Sequence, residues 1–436
     1  MCISVVIATM LVCAGSTPAH AAPPRVLASS PSVGAAHVDP DLAEIVVTYD
    51  QPMATGYSVV GAGPHSPRVV GECYWRDATT FVMPVRLSPD WDYEGAFNYP
   101  PFEKFRNVGG EAAAPYPLRF STAADPRARP RTAANRRSFA ALRDIVLSRY
   151  SYRDRLPVDW EARFASFEAA LLTSPSARSF AREAAALLGA AEDGHLVLKL
   201  RGVHYATTPP TPPPNMAEAV IREAVPGWSE HGAGGVVTGR FADGVGYVLV
   251  REWNDAARAA LATFYRAVAA TDPGRGLIVD VRPNVGGDET LALAVAGCFV
   301  ATPVVYARAS VLQRGKWLGP FDRALAPIAA CPTFPADRVV VLQGPAAASS
   351  NEGFLMMMRA AGATLVGERS RGSSGRPSGH GLGRRLRVMA PTWIDTWPDG
   401  TALEGVGITP DVTVLTPPAA SDDPVLASAL ALLRSR

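Results

Sequence analysis

The sequence predicts a multidomain protein: a β-sandwich, then a helical segment, then an α/β domain with a mainly parallel sheet. Three observations predict that order. The chain has 436 residues, about three times an ordinary domain, so several cores are expected. Short β-rich runs separated by Pro, Gly and Asp turns fill its first part, at the spacing of a sandwich. Downstream the apolar period lengthens to three and four, and buried-looking strands then alternate with helices. With 48% hydrophobic and 19% charged residues, and 42 basic against 40 acidic side chains, intrinsic disorder is excluded, as is a strongly electrostatic nucleic-acid binder. Lysine occurs only at Lys104, Lys199 and Lys316, which limits any mechanism that needs a lysine.

Residues 1–21 read as an export signal: an apolar run from Ile3 to Gly15 leads to Ala19-His20-Ala21, the small-x-small pattern at which such signals are cut. Cleavage is expected after Ala21, giving a secreted, periplasmic or cell-envelope protein, although no basic residue precedes the run. A lipoprotein reading through Cys13 is the weaker alternative, because Met10-Leu11-Val12 lacks the small residue expected just before the cysteine. No later stretch reaches the roughly 18 apolar residues of a membrane span. Cys73, Cys298 and Cys331 would remain, with Cys298 and Cys331 a candidate pair. Neither CxxC nor HExxH occurs, so no zinc site is expected, and no cofactor is called for.

Residues 24–123 form the predicted sandwich, with strands at Glu44–Tyr49, 80–85 and 117–122. Residues 124–137, rich in arginine and proline, read as a linker. Residues 138–194 carry Phe139, Leu142, Ile145 and Val146, then Phe164, Phe167 and Leu171, at helical spacing, with Asp159 as a cap. After a proline-rich loop at 209–214, the domain 195–416 alternates strands at 245–250, 276–282 and 338–344 with helices at Asp255–Ala270, 289–299 and 352–361. Residues 417–436 read as a tail. Trp75, Trp160 and Trp253 are expected in cores, and His204, His231 and His380 at the surface.

Two stretches carry candidate chemistry. The first runs strand, small-residue turn, helix, with Ser349 at the helix start and Glu352 three residues on. That spacing suits a capping box. It equally suits a nucleophile beside unpaired helix N–H groups that stabilise an oxyanion. In the second, an apolar strand runs into Gly286-Gly287, where a backbone N–H can approach another atom closely. Neither GxGxxG nor GxxxxGK[ST] is present, so nucleotide binding is not expected.

Together these stretches resemble the C-terminal processing (tail-specific) peptidase family of serine proteases. The likeness continues in Ala191-Glu192-Asp193-Gly194-His195-Leu196, in Tyr150-Ser151-Tyr152-Arg153-Asp154 with Val158-Asp159-Trp160, in Gly367 through Gly375, and in Pro398 through Asp411. It covers roughly Ser138 to Leu415. It implies a ClpP/crotonase-like peptidase domain, with Ser349 as nucleophile and the backbone N–H groups of Gly286 or Gly287 and of Ser350 as oxyanion hole. Members that pair the serine with a lysine are not matched, because no lysine follows Lys316 and Ser374 stands at that place. The tricorn-like subset uses histidine and a late glutamate instead, which implies His195 as general base and Glu404 as its orienting group. Gly194 replaces the serine that precedes the histidine there, leaving Asp193 as a further candidate for orienting the ring, with His380 as reserve base. Too little chain separates His195 from Val245 for a full PDZ domain of roughly 80 residues. Leu27 through Pro31, Ile45 through Met53 and Leu118 through Thr122 resemble bacterial Ig-like modules, which implies docking to another protein or the cell surface. The resemblance implies an exported serine-type peptidase acting on a peptide or protein substrate. A non-catalytic binding protein on the same fold, as in retinoid-binding repeats, and an esterase using the same groups are the alternatives.

Overall fold

The computed structural model describes residues 23–61, 63–125, 131–208, 211–313, 315–417 and 422–436. The export signal and residues 126–130 of the expected linker lie outside them. The chain divides into two compact units between Arg129 and Pro130.

The first unit is built of two sheets. One runs Val26–Ser30, Glu44–Tyr49, Thr80–Arg86, Arg68–Val69, with Tyr74–Trp75 also pairing to Thr80–Arg86; the other runs Ala35–Val38, Tyr116–Thr122, Asp92–Phe97, Val59–Val60. Strict alternation in Glu44–Tyr49 turns Ile45, Val47 and Tyr49 inward. Phe81 of the first sheet and Phe97 of the second meet edge to face 6.1 Å apart, and Phe105 packs on both. Those rings make the core that joins the sheets.

The second unit opens with three helices, Thr132–Arg149, Trp160–Thr173 and Ala177–Leu188. The first begins inside the stretch expected to be linker. Its reason for being there is Asn135, fully buried, whose amide donates to the carbonyls of Leu172 and Ser174 at 3.0 and 2.8 Å. A polar composition concealed a residue that closes the end of the next helix. Asp159 accepts from the Ala162 N–H at 2.9 Å, the expected cap.

A seven-stranded sheet then forms in the order Ser229–His231, Val236–Arg240, Gly246–Val250, Leu277–Asp280, Val339–Gln343, Thr364–Gly367, Val412–Thr413. The first three strands pair antiparallel and the remaining pairs are parallel. Gly246–Val250 and Val339–Gln343 are buried at every residue, because both faces of the sheet are covered. Val248, Val279 and Val341 face helices Asp255–Ala270, Glu289–Ala296 and Ser350–Ala361; Leu249, Ile278, Val340 and Leu342 face Glu218–Ala224 and Pro424–Arg434. A four-stranded sheet (Val203–Tyr205, Val197–Leu200, Leu386–Pro391, Pro377–Gly383) and a long hairpin, Val304–Gln313 with Lys316–Leu325, paired to Trp393–Thr396, complete the unit. Residues 195–245 are thus spent on strands of two sheets and one short helix. Cys298 and Cys331 form a disulfide across the base of the hairpin.

The expected tail is a structural helix. Asp423 caps Pro424–Arg434 by accepting from the Leu426 N–H, and Val425, Leu426, Ala429 and Leu433 are buried against the sheet. Asp423 also accepts from Arg282 at 2.7 Å, and Arg282 is held by Asp280 at 2.6 Å, all three side chains being buried. Removing Asp423 takes from Arg282 its short Nη1 bond and from the helix its cap, while Asp280 still balances the guanidinium charge. Asp423→Ala is therefore expected to cost about 2–4 kcal/mol, the sum of a charged hydrogen bond and a cap, read as a lowered urea midpoint; an unchanged midpoint would show that the helix is not pinned through this pair.

Candidate active site

The site lies where loops leave the carboxyl ends of the parallel strands, the usual place for a ligand in such a sheet. Ser349 follows strand Val339–Gln343 and stands at the N-cap position of helix Ser350–Ala361 with φ +56° and ψ −131°, a strained conformation for a residue with a side chain. Its hydroxyl makes no capping bond. The capping box is accordingly not formed: the Glu352 side chain turns into the protein, where Oε1 accepts from Ser370 Oγ and the Gly372 N–H and Oε2 accepts from the Ser373 N–H. Interior donors offer a fully buried carboxyl group more than a solvent-facing cap would.

His195, on the turn before strand Val197–Leu200, places Nε2 3.1 Å from Ser349 Oγ. Its other ring nitrogen, Nδ1, lies 2.9 Å from Ser373 Oγ. Asp193, the further candidate for orienting the ring, accepts the His195 backbone N–H at 2.8 Å through Oδ1, while Oδ2 accepts from Tyr150 at 2.9 Å. Glu404 does not bond the ring either; its Oε2 accepts the Ser374 N–H at 2.6 Å. Tyr152 reaches the same strip, 2.6 Å from Ser374 Oγ. The residue missed in the sequence is Ser373. It takes the place that the expected glutamate was given, and no local pattern distinguishes it from Ser374 beside it.

The oxyanion candidates separate. The Gly286 N–H is already donated to Asn284 Oδ1 at 2.9 Å, whereas no described residue accepts the N–H of Gly287 or Ser350. Both glycines have φ beyond +110°. A Cβ on Gly286 would lie 2.8 Å from that of Ser349, and one on Gly287 would lie 2.1 Å from the Trp253 carbonyl oxygen. Only glycine fits this turn. Ser350 Oγ donates to the Gly287 carbonyl at 2.7 Å, tying the turn to the helix start.

Burial lowers the His195 pKa below its ordinary value of 6.5; the Asp193 charge opposes this and the Arg371 guanidinium adds to it. The imidazole is therefore neutral at neutral pH. Burial raises Asp193 and Glu404, and the Asp193 charge further discourages ionisation of Glu404. Glu352 is pushed up to about 7 by burial, against the donors aimed at it. His380 lies on strand Pro377–Gly383, half-buried, and His204 and His231 lie on other strands. Lys199 lies on strand Val197–Leu200 and Lys316 begins strand Lys316–Leu325. Among the described residues no cluster of His, Cys, Asp or Glu could hold a metal ion, and no helix is long and apolar enough to cross a membrane.

Residues 244–414 match the model of peptidase family S41. This segment is a peptidase family S41 domain. It contains Gly286, Gly287, Ser349, Ser373 and Glu404, while His195 lies ahead of it. Peptidases of this family are serine hydrolases. No curated protein matches the chain. Among solved structures, a protein from Parabacteroides merdae described as a candidate peptidase is 21% identical with a TM-score of 0.58, covering 69% of this chain and 96% of its own; the S41 domain and its flanking elements share that fold. The photosystem II D1 C-terminal processing protease (13% identical, 69% and 97% covered, TM-score 0.44) and the tricorn protease (12% identical, 93% and 55% covered, TM-score 0.46) are also similar.

The strain at Ser349 can be measured apart from any chemistry. Ser349→Gly and Ser349→Ala both lose the hydroxyl, but only glycine relaxes a positive φ, so the glycine variant should be the more stable by about 1 kcal/mol in urea. Equal stabilities would show that the turn is unstrained.

Proposed function

We propose that the chain is an exported serine peptidase in which Ser349 is the nucleophile and His195 the general base. The contact between His195 Nε2 and Ser349 Oγ at 3.1 Å carries this reading. With Nδ1–H donated to Ser373 Oγ, the Nε2 lone pair faces the serine hydroxyl. Oγ attacks the peptide carbonyl carbon as its proton passes to Nε2, and the carbonyl oxygen becomes an oxyanion that accepts from the free N–H groups of Gly287 and Ser350. Collapse breaks the C–N bond, the amine leaving with the proton from Nε2; water then repeats the sequence on the acyl-enzyme and releases Ser349.

Supporting parts have distinct tasks. Gly286 shapes the turn, its own N–H being spent on Asn284. Asp193 and Tyr150 hold the main chain of His195, and Glu404 holds Ser374, so both carboxyl groups act on the ring through the backbone that positions it. In this assignment histidine fills the role that lysine has in other members, as in the tricorn-like subset, and the first unit serves as an Ig-like docking module without a PDZ domain. The disulfide between Cys298 and Cys331 supports an oxidising compartment and hence export.

Ser349→Ala should abolish peptide hydrolysis and labelling by a fluorophosphonate while leaving the fold intact. His195→Gln should lose about 1000-fold or more in turnover. Labelling of the native chain at another residue, or turnover by Ser349→Ala, would remove the assignment.

The pH profile tests the base. A base must be neutral, so kcat/KM should rise with pH through the His195 pKa and then level, and burial places that limb below 6.5. Because the Arg371 charge lowers the same pKa, Arg371→Gln should move the limb to higher pH. A limb above 8, or one indifferent to Arg371, would point to a different base.

A further inference from the structure

Beside Ser349 opens a cavity of about 450 Å³. Gly287 and Ser350, whose free N–H groups form the proposed oxyanion hole, lie on its wall, so whatever fills it belongs to the peptide within a residue or two of the attacked carbonyl. Met356, Leu403 and Pro377 line the apolar part and Trp393 forms an aromatic side.

The charges on the lining are unequal in their partners. Asp288 is paired with Arg258 at 2.6 Å. Arg323 is shared between Glu289 and Asp395, the latter at 2.7 Å. Gly353 makes room for this arrangement, since a Cβ there would lie 2.6 Å from Glu289 Oε1. Burial raises the Asp395 pKa, and the Arg323 charge beside it opposes that shift. Arg376 differs: it is exposed, and no described carboxylate lies within ion-pair distance of it. Its guanidinium carbon stands 5.4 Å from the centre of the Trp393 ring, the ring that Arg323 also approaches at 4.9 Å. Stacking on an indole orients a guanidinium without neutralising it, and the N–H groups along its edge stay free for a bidentate acceptor.

We propose that this cavity receives a carboxylate of the peptide substrate, held by Arg376, so that acidic peptides are cleaved in preference to neutral or basic ones. The proposal rests on the reading of Ser349 as nucleophile. A planar carboxylate matches the guanidinium fork. An approaching lysine would meet the unpaired like charge of Arg376 at the exposed side of the cavity before it reached Glu289 and Asp395, which share Arg323. The carboxylate has two sources in a peptide, an acidic side chain or the chain end, and both present the same group.

Internally quenched peptides differing only in Glu, Gln or Lys at each position flanking the cleaved bond, each with a free and an amidated C-terminus, test the proposal. The expected result is a kcat/KM ratio of about tenfold or more for the carboxylate-bearing member, largely through KM and shrinking as salt is added. A ratio that follows the side chain identifies an acidic residue as the source; one that follows the free terminus identifies the chain end. Arg376→Gln should bring the ratio to about one, Arg376→Lys should keep part of it, and Arg376→Glu should favour the Lys peptide. Since the ratio is read within each variant, losses in folding cancel. A native enzyme indifferent to the carboxylate, one preferring Lys, or a ratio that survives Arg376→Gln would overturn the proposal while leaving the hydrolase reading standing. Failure of a fluorophosphonate to label Ser349 in the native chain would instead sink that reading and this proposal with it.

Discussion

Ser373 is the residue on which the arrangement at Ser349 depends. Its N–H is held by Glu352, its carbonyl accepts the Ser349 N–H at 2.7 Å, and its hydroxyl meets His195 Nδ1. Glu404 fixes the following N–H, and Glu352 the preceding one. Two buried carboxyl groups thus clamp three consecutive amides, and the clamped strip sets the positions of both the serine and the histidine. Placing two acids in a protein interior is costly unless donors converge on them. The amides of Gly372, Ser373 and Ser374 supply those donors, so the strip and the acids stabilise each other.

The parallel sheet supplies the rest of the geometry. Adjacent strands Leu277–Asp280 and Val339–Gln343 end side by side, so the glycine turn after one and the serine turn after the other come together without a long loop. Glu289–Ala296 and Ser350–Ala361 then pack on the same face. His195 arrives from a different sheet, which explains why the three helices matter to the site: Tyr150 and Tyr152, just beyond the first of them, reach Asp193 and Ser374.

Much of this was legible in the sequence, and the reasons for the remainder are local. Asp255–Ala270 was expected at its observed bounds, and Asn254 caps it by accepting from the Ala256 and Ala257 N–H groups. Strands at 245–250 and 338–344 were visible as unbroken apolar runs, within a residue or so of Gly246–Val250 and Val339–Gln343. The placement of Ser349 against His195 came from a family likeness; periodicity says nothing about contacts across 154 positions. Glu352 was misread as a possible cap because spacing records where a side chain starts and not which way it turns. The sequence leaves Gly286 and Gly287 as alternative donors, because the bond from Gly286 to Asn284, two residues earlier, exists only in three dimensions. The helix Pro424–Arg434 was missed although its apolar positions are regular; a chain end reads as a tail until a buried partner such as Arg282 is known.

The distance in sequence between the reacting groups has a consequence for the life of the molecule. His195 and Ser349 are 154 residues apart, and His195 and Ser373 are 178 apart. Contacts of that range close late, after local helices and hairpins have formed. An unfolded chain holds a serine and an imidazole with no means of meeting. The pairing therefore comes with the fold as a whole: the serine turn, the strip of amides beside it and the histidine turn fall into place together, or the contact is not made.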